Sequence, residues 1–193
     1  MKTAPPPEKA TLPPAQRARR AAIVAAGLRL LRSGDYEQVQ MRDVATEADV
    51  AIGTVYRYFQ SKEHLFAEVL DEWASSLKPA PAEGATDAER LRDVLQRSAR
   101  AFATVPQLVK VLMTLEASDD PFASAIFAAM NERTQGIYGA ALPSLDAERR
   151  RVVVKVAGAT LDLVLRQWVM GRATMSDVRR TLDEAVDVLV GDG

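Results

Sequence analysis

The chain has 193 residues, 48 % of them hydrophobic, a formal net charge of −1, no cysteine and a single histidine, His64. That length suits one large domain or two small ones sharing a core, and the missing thiols exclude disulfides and leave almost no ligand set for a Cys/His zinc site. No stretch approaches the ~18 continuous apolar residues of a membrane span and the N-terminus lacks a signal-peptide core, so the expectation is a cytoplasmic protein without a membrane partner. The charge is uneven. Up to Lys62 there are ten Lys/Arg against six Asp/Glu, and beyond it fifteen against twenty. A basic head on an acidic body suggests that only the head meets a polyanion.

Five prolines within residues 5–14 exclude a helix interior and predict a mobile tail over 1–13. Arg17, Arg19 and Arg20 follow, either as a solvated first turn or as an arm touching phosphates. Ile23, Ala26, Leu30 and Leu31 predict a helix over 14–33, which Gly34 and Asp35 end. A second helix is expected over about 41–48 with Met41, Val44, Ala45 and Ala48 on its apolar side. Asp49 and Val50 make a turn, and a third helix covers about 52–58 until Gln60 breaks it. Ser61 can cap a fourth helix, carrying Leu65, Phe66, Val69, Leu70 and Trp73. Pro79, Pro81 and Gly84 mark a loop over 78–85. Thr86 and Glu89 form a capping box for a helix over 87–104, Pro106 starts another that ends near Ala117, and Asp120-Pro121 is a cap and first-turn pair for a helix to about Gly139. Pro143 interrupts again. Helices over about 146–170, closed by Gly171, and 176–190 complete the chain. With no persuasive strand and no repeat, the expected fold is all-α with about nine helices, divided into a helix-turn-helix domain over 14–60 and a ligand-binding and dimerisation domain over 61–193.

Residues 40–62 carry the functional signal. Val44, Ala48, Val50, Val55 and Phe59 can form a small core between two short helices, and Ala45 lets them approach. Helices this short need flanking support. Ala51, Gly53, Thr54, Arg57 and Tyr58 are expected to point away from that core, with Tyr56 at its margin. Small residues at the start of the third helix allow it deep into a major groove. Thr54 and Tyr56 can donate to phosphates or base edges, and Arg57 can pair with guanine or phosphate. Lys62 and the amides after Ser61 can hold a further phosphate, while Gln40 and Arg42 open the second helix on the same side. The expected DNA-binding set is therefore Arg17, Gln40, Arg42, Gly53, Thr54, Tyr56, Arg57, Tyr58 and Lys62.

The run Val55-Tyr56-Arg57-Tyr58-Phe59-Gln60-Ser61-Lys62-Glu63-His64-Leu65, with the lead-in Met41-Arg42-Asp43-Val44-Ala45, Ala48-Asp49-Val50 and Gly53-Thr54, resembles the TetR family of regulators over about residues 17–75. The resemblance implies an all-helical homodimer with a DNA-binding head and a variable effector body, repressing transcription at a palindromic operator until a small molecule releases it. Ala51 departs from the pattern: the family often has a hydroxyl there, and any phosphate contact from it is lost. The head and 166–192, with Ala173-Thr174, Ser176-Asp177-Val178 and Gly191-Asp192, are similar to actinobacterial sterol-catabolism repressors, which would imply a bulky hydrophobic effector of the lipid, sterol-derived or acyl-CoA kind. Residues 78–150 show no such similarity.

In the body, the helix over 146–170 is apolar round most of its circumference and needs partners on more than one side. With the last helix as an antiparallel neighbour, two copies would make a four-helix interface, for which Leu163, Met170, Val178, Leu182, Val186 and Leu189 are the candidates; ordinary monomer core is the alternative. Phe102, Met113, Phe122, Phe127, Met130, Leu165 and Trp168 are the candidate effector-lining residues, since large apolar groups with adaptable methionines line cavities as readily as they fill cores. No cofactor or metal is expected, and no enzyme: a di-iron bundle needs Glu-x-x-His pairs, and residue 61, three before His64, is serine. A helical interaction module, or an activator without a small-molecule effector, remains the alternative function.

Overall fold

The structure, a computed structural model, describes residues 12–77 and 81–191; most of the expected tail over 1–13 and part of the expected loop over 78–85 lie outside them. Nine helices run in chain order among the described residues: α1 (Pro14–Ser33), α2 (Met41–Glu47), α3 (Ile52–Tyr58), α4 (Lys62–Ser76), α5 (Asp87–Thr104), α6 (Gln107–Glu116), α7 (Pro121–Ala140), α8 (Ala147–Val169) and α9 (Met175–Val190). They group into two compact units. A head unit comprises Met1–Ser76 with Val111–Phe127, and a body unit comprises Leu77–Lys110 with Ala128–Gly193. The boundary expected at residue 60 falls inside the head unit, because α4 packs against α1.

In the head, Ile23, Val24, Ala26 and Leu31 are buried on α1, and Leu65, Phe66, Val69 and Leu70 on α4. Gly27 sets how closely these helices approach. A Cβ at that position would lie 2.9 Å from Val69 Cγ2, so the missing side chain lets α1 settle onto α4. Two turns earlier on α1, Arg20 is buried at 5 % exposure. Its guanidinium meets Glu68 through Nη2 at 2.7 Å and Nη1 at 3.0 Å, and it lies 4.9 Å from the centroid of the Phe59 ring. Arg20 is therefore a cross-brace between α1, α4 and the end of α3, not part of a phosphate-touching arm.

The body is built on α5, α8 and α9. Each starts at a side-chain cap, the first of which is expected from the sequence: the Glu89 amide donates to Thr86 Oγ1 at 3.2 Å, the Glu148 and Arg149 amides to Asp146 Oδ1 at 3.0 and 2.9 Å, and the Asp177 amide to Thr174 Oγ1 at 3.1 Å. Gly171, at φ 71°, closes α8 in the left-handed region that glycine occupies without strain. Leu91, Leu95 and Ala99 of α5, Val153, Ala157, Leu161 and Leu165 of α8, and Val178, Leu182 and Val186 of α9 share one core. Polar contacts rim it: Arg92 Nη2 donates to Asp187 Oδ1 at 2.5 Å, and Gln96 Nε2 to Asp183 Oδ1 at 2.9 Å.

This packing corrects part of the expected dimer set. Val178, Leu182 and Val186 are fully buried within the body of one chain. An amphipathic helix has one apolar face, and α5 and α8 already cover that of α9; Leu189 is half-buried against the same core. Leu163 and Met170 stand outside it, 55 % and 50 % exposed, and Val152 and Val156 of α8 are exposed with them.

The expected effector-lining set also disperses. Leu165, at 1 % exposure, is core, and Phe102 and Trp168 are half-buried against that core. Phe122 lies in the head unit with its ring stacked on His64. Met113, Phe127 and Met130 are half-buried. One cleft of about 400 Å³ in the head is lined by Glu63, Thr114 and Ala117–Asp120, and another of about 310 Å³ in the body by Gln135, Gly136, Gly139, Ala147, Arg150, Arg151 and Val154. None of the seven candidates lines either.

Truncating Glu68→Ala would leave the Arg20 charge buried without its carboxylate. We expect a loss of about 3 kcal/mol of unfolding free energy, read from urea denaturation. A loss below about 1 kcal/mol would show that Arg20 escapes to solvent and that the brace is weak.

Candidate nucleic-acid interface

The interface is built from two seven-residue helices and the turn between them. At the start of α2, the Gln40 amide donates to Asp43 Oδ2 at 2.8 Å, so the first turn holds itself closed. At its end, the Ala48 amide donates to the Val44 carbonyl at 2.9 Å and the Asp49 amide to that of Thr46 at 3.1 Å. Asp49 then adopts φ 52°, a left-handed conformation that aspartate tolerates better than most residues. The Val50 amide returns to the Ala45 carbonyl at 3.0 Å, which fixes the turn.

On α3 the buried face is Val55 and Tyr58, followed by Phe59, all at 1 % exposure or less. Ile52, Gly53, Tyr56 and Arg57 are exposed on the other side, with Thr54 between the faces. Residues 52, 53, 56 and 57 form one strip at helical spacing. This corrects the expectation for Tyr58. It follows Val55 by three residues and shares the inner face, so its ring cannot lie against DNA while the head is folded this way. Its hydroxyl nevertheless accepts a hydrogen bond from Arg57 Nη2 at 2.9 Å, and the guanidinium carbon lies 5.0 Å from the Tyr58 ring centroid. Tyr58 thus holds the Arg57 side chain instead of joining the contact surface. Tyr56 is further out than its expected marginal position, at 50 % exposure.

Ile52, 42 % exposed at the head of the same strip, is a surface residue that the sequence reading did not single out. Its place one turn before Tyr56 was the available signal, and an exposed aliphatic group there suits a thymine methyl. Gly53 is informative for the opposite reason. Among the described residues nothing lies within 4 Å of where its Cβ would be, so none of them demands glycine. Glycine in a helix is unfavourable relative to alanine, and the unfilled space opens onto the exposed strip.

The surrounding candidates are placed unequally. Arg42 is freely exposed, with Nε 3.9 Å from Asp43 Oδ1. Gln40 is exposed beside it. Arg17 is exposed and donates through Nη1 to the Leu12 carbonyl at 3.1 Å. Lys62 is more committed than expected: its ammonium donates to the Tyr36 carbonyl at 2.6 Å and sits 4.2 Å from the Tyr36 ring centroid. Burial draws its pKa below the ordinary lysine value, against the opposing pull of Glu63, Glu37 and Asp35.

The start of α4 also departs from the expected phosphate cradle. The His64 amide donates to Ser61 Oγ at 2.9 Å, and the same hydroxyl donates to Asp120 Oδ2 at 2.7 Å. A carboxylate beside this helix end already complements its positive pole. His64 is itself buried, and burial lowers its pKa against the pull of Asp120 and Glu68, so the ring is neutral near pH 7. Its Nδ1 accepts from the Gln60 amide at 3.3 Å, which places the ring proton on Nε2.

If Gly53 is kept small for an external surface, Gly53→Ala should stabilise the free protein by about 0.5–1 kcal/mol. It should at the same time weaken operator binding by about tenfold or more through crowding. Thermal unfolding and fluorescence anisotropy on one preparation separate the two effects; stabilisation with unchanged affinity would remove Gly53 from the interface.

Residues 23–69, which span this site, match the sequence model of the bacterial regulatory proteins of the tetR family. The chain is 32 % identical over 183 residues to the HTH-type transcriptional repressor KstR of Mycobacterium tuberculosis, covering 92 % of this chain and 83 % of that protein. It is 33 % identical to the KstR repressor of Rhodococcus jostii, covering 93 % and 86 % respectively. A TetR transcriptional regulator from Rhodococcus sp. RHA1 has the same fold at a TM-score of 0.75 and 26 % identity, over 91 % of this chain and 96 % of that one. The Bacillus subtilis regulator FadR, solved in complex with stearoyl-CoA, shares the fold at a TM-score of 0.60 and 22 % identity, over 90 % and 99 %. With an all-helical fold, a helix-turn-helix head and repressors as relatives along nearly its whole length, this chain belongs to the TetR family of bacterial transcriptional regulators.

Proposed function

We propose that the protein is a cytoplasmic repressor that binds a palindromic operator as a homodimer and is released by a bulky hydrophobic effector of the lipid, sterol-derived or acyl-CoA kind. The observation that carries this reading is the extent of the similarity. The KstR repressors align with the body as well as with the head, over more than nine-tenths of this chain. In the described residues no helix is long and apolar enough to cross a membrane.

Each head presents the strip of Ile52, Gly53, Thr54, Tyr56 and Arg57 to a major groove, with Arg42 and Gln40 flanking it on α2. A two-fold operator then requires two heads about one helical turn apart, roughly 34–36 Å. The exposed row Val152, Val156 and Leu163 on α8, continued by Met170 at its C-cap, is the candidate dimer face. These side chains recur at helical spacing on the side of α8 opposite its buried Val153, Ala157, Leu161 and Leu165. An effector that prefers a head spacing unable to straddle the operator acts by that preference alone. Full release takes a difference of about 5 kcal/mol between the two states.

The test uses an operator selected by the wild-type protein from a random duplex pool, with long-chain acyl-CoAs and sterol acids added to the bound complex. Affinity for a two-fold site that falls on addition of one of these compounds is the expected result; failure to select any two-fold sequence at low salt would overturn the reading. Tyr56→Ala and Arg57→Ala should each lower affinity for that site more than about tenfold while the dimer persists. Leu163→Arg should shift sedimentation equilibrium from dimer to monomer; a variant still dimeric would move the interface off this row.

A further inference from the structure

The head contains a contact that the matched segment 23–69 does not include. Helix α3 ends at Tyr58 and α4 begins at Lys62, so three residues set the angle between them. All three are pinned. The Phe59 amide donates to the Val55 carbonyl at 2.9 Å, and its ring is buried beside Arg20. The Gln60 amide donates to His64 Nδ1. The Ser61 hydroxyl caps α4 through the His64 amide and donates to Asp120.

Asp120 is also the cap of α7, its Oδ1 accepting from the amides of Phe122 and Ala123 at 2.9 Å each. One serine–aspartate pair therefore starts two helices, α4 and α7. One turn in, the His64 and Phe122 rings stack with centroids 5.1 Å apart and planes 21° from parallel. Burial works against the Asp120 anion, but the Ala123 amide, the Ser61 hydroxyl and the Phe122 amide outweigh it, so the carboxyl stays below its ordinary pKa. A second tie joins the same stretch of chain to the head, since the Tyr36 hydroxyl, whose pKa burial pushes up to about 12, is hydrogen-bonded to Thr114 of α6.

We infer that Asp120, 59 residues beyond Ser61 in the chain, is a positioning residue for the DNA-reading helix, acting through Ser61 and the ring of His64. This rests on the reading of α3 as the DNA-contacting helix. A displacement of the first turn of α7 by the length of one hydrogen bond breaks the 2.7 Å contact and slides Phe122 off His64. Both losses fall on the three-residue link that aims α3. Helix α7 is unbroken from Pro121 to Ala140, its Pro121–Phe127 stretch grouped with the head unit and the remainder with the body.

Full-length Ser61→Ala, Asp120→Ala and the double variant are compared on the selected operator and on an unrelated duplex of equal length. We expect each single change to weaken operator binding about tenfold, as for loss of one charge-assisted hydrogen bond, with non-specific affinity unchanged. The double variant should be no weaker than either single one, and Ser61→Thr, which restores a hydroxyl, should recover most of the loss. Should Asp120→Ala fray α7, Asp120→Asn keeps a capping side chain and still loses the anionic acceptor. Operator affinity within twofold of wild type, losses that multiply in the double variant, or equal losses on both duplexes would each overturn the inference. Arg57→Ala is the control: if it too leaves operator affinity intact, the assignment of α3 fails, and not the role of Asp120 alone.

Discussion

Arg20 lies buried between the carboxylate of Glu68 and the ring of Phe59, and the geometry of the head depends on that contact. A seven-residue helix has no independent stability in water. Helices α2 and α3 hold their shape because Val44, Val55, Tyr58 and Phe59 are pressed into an apolar wall that α1 and α4 supply. The wall forms because Gly27 lets those two long helices approach, and Arg20 ties it to the residue immediately after α3. A buried charge pair is a poor source of net stability, but it is intolerant of misalignment. That intolerance suits a part whose task is to hold a short helix at a fixed angle.

With one face of α3 committed inward, its other face is left to chemistry. Tyr56 and Arg57 are adjacent in sequence yet share the exposed strip, while Tyr58 turns under and holds Arg57 through its hydroxyl and ring. An open glycine, Gly53, follows Ile52 at the head of the strip. A protein optimised for stability alone would gain from alanine there, so the cost of glycine is consistent with a surface shaped for something outside the protein. Basic side chains around the strip differ in availability. Arg42 is exposed with only a loose contact to Asp43, Lys62 is braced on Tyr36, and Arg20 is buried.

In the body the same division of faces operates on a longer helix. The inner side of α8 joins α5 and α9 in one core, with capped starts and polar rims that leave little freedom at the helix ends. Its outer row of Val152, Val156 and Leu163, continued by Met170 at its C-cap, stays exposed among the described residues. Apolar groups repeated along one face are costly in water, which is the physical ground for the proposal that a symmetric second copy covers them.

The sequence by itself determined the helices, the turn and the family. Thr86 and Asp120 announced helix starts, Gly34 and Gly171 announced helix ends, and the period of the apolar residues supplied what lay between. These signals are local, because a capping hydroxyl or a left-handed glycine acts within one turn of its own position. The outward strip of α3 was largely legible for the same reason; Tyr58 was not, since a tyrosine one turn from a buried valine suits either side until a wall exists to receive it. Partners were legible only between helices that follow one another closely, as α3 after α2 and α9 after α8. That α5 would claim Val178, Leu182 and Val186, leaving α8 alone with an exposed row, is a choice among several apolar faces of equal appeal. That Asp120 would share the hydroxyl of Ser61, and Phe122 the ring of His64, joins residues nearly sixty apart. Periodicity carries no information across such a distance, and only tertiary packing decides which face meets which.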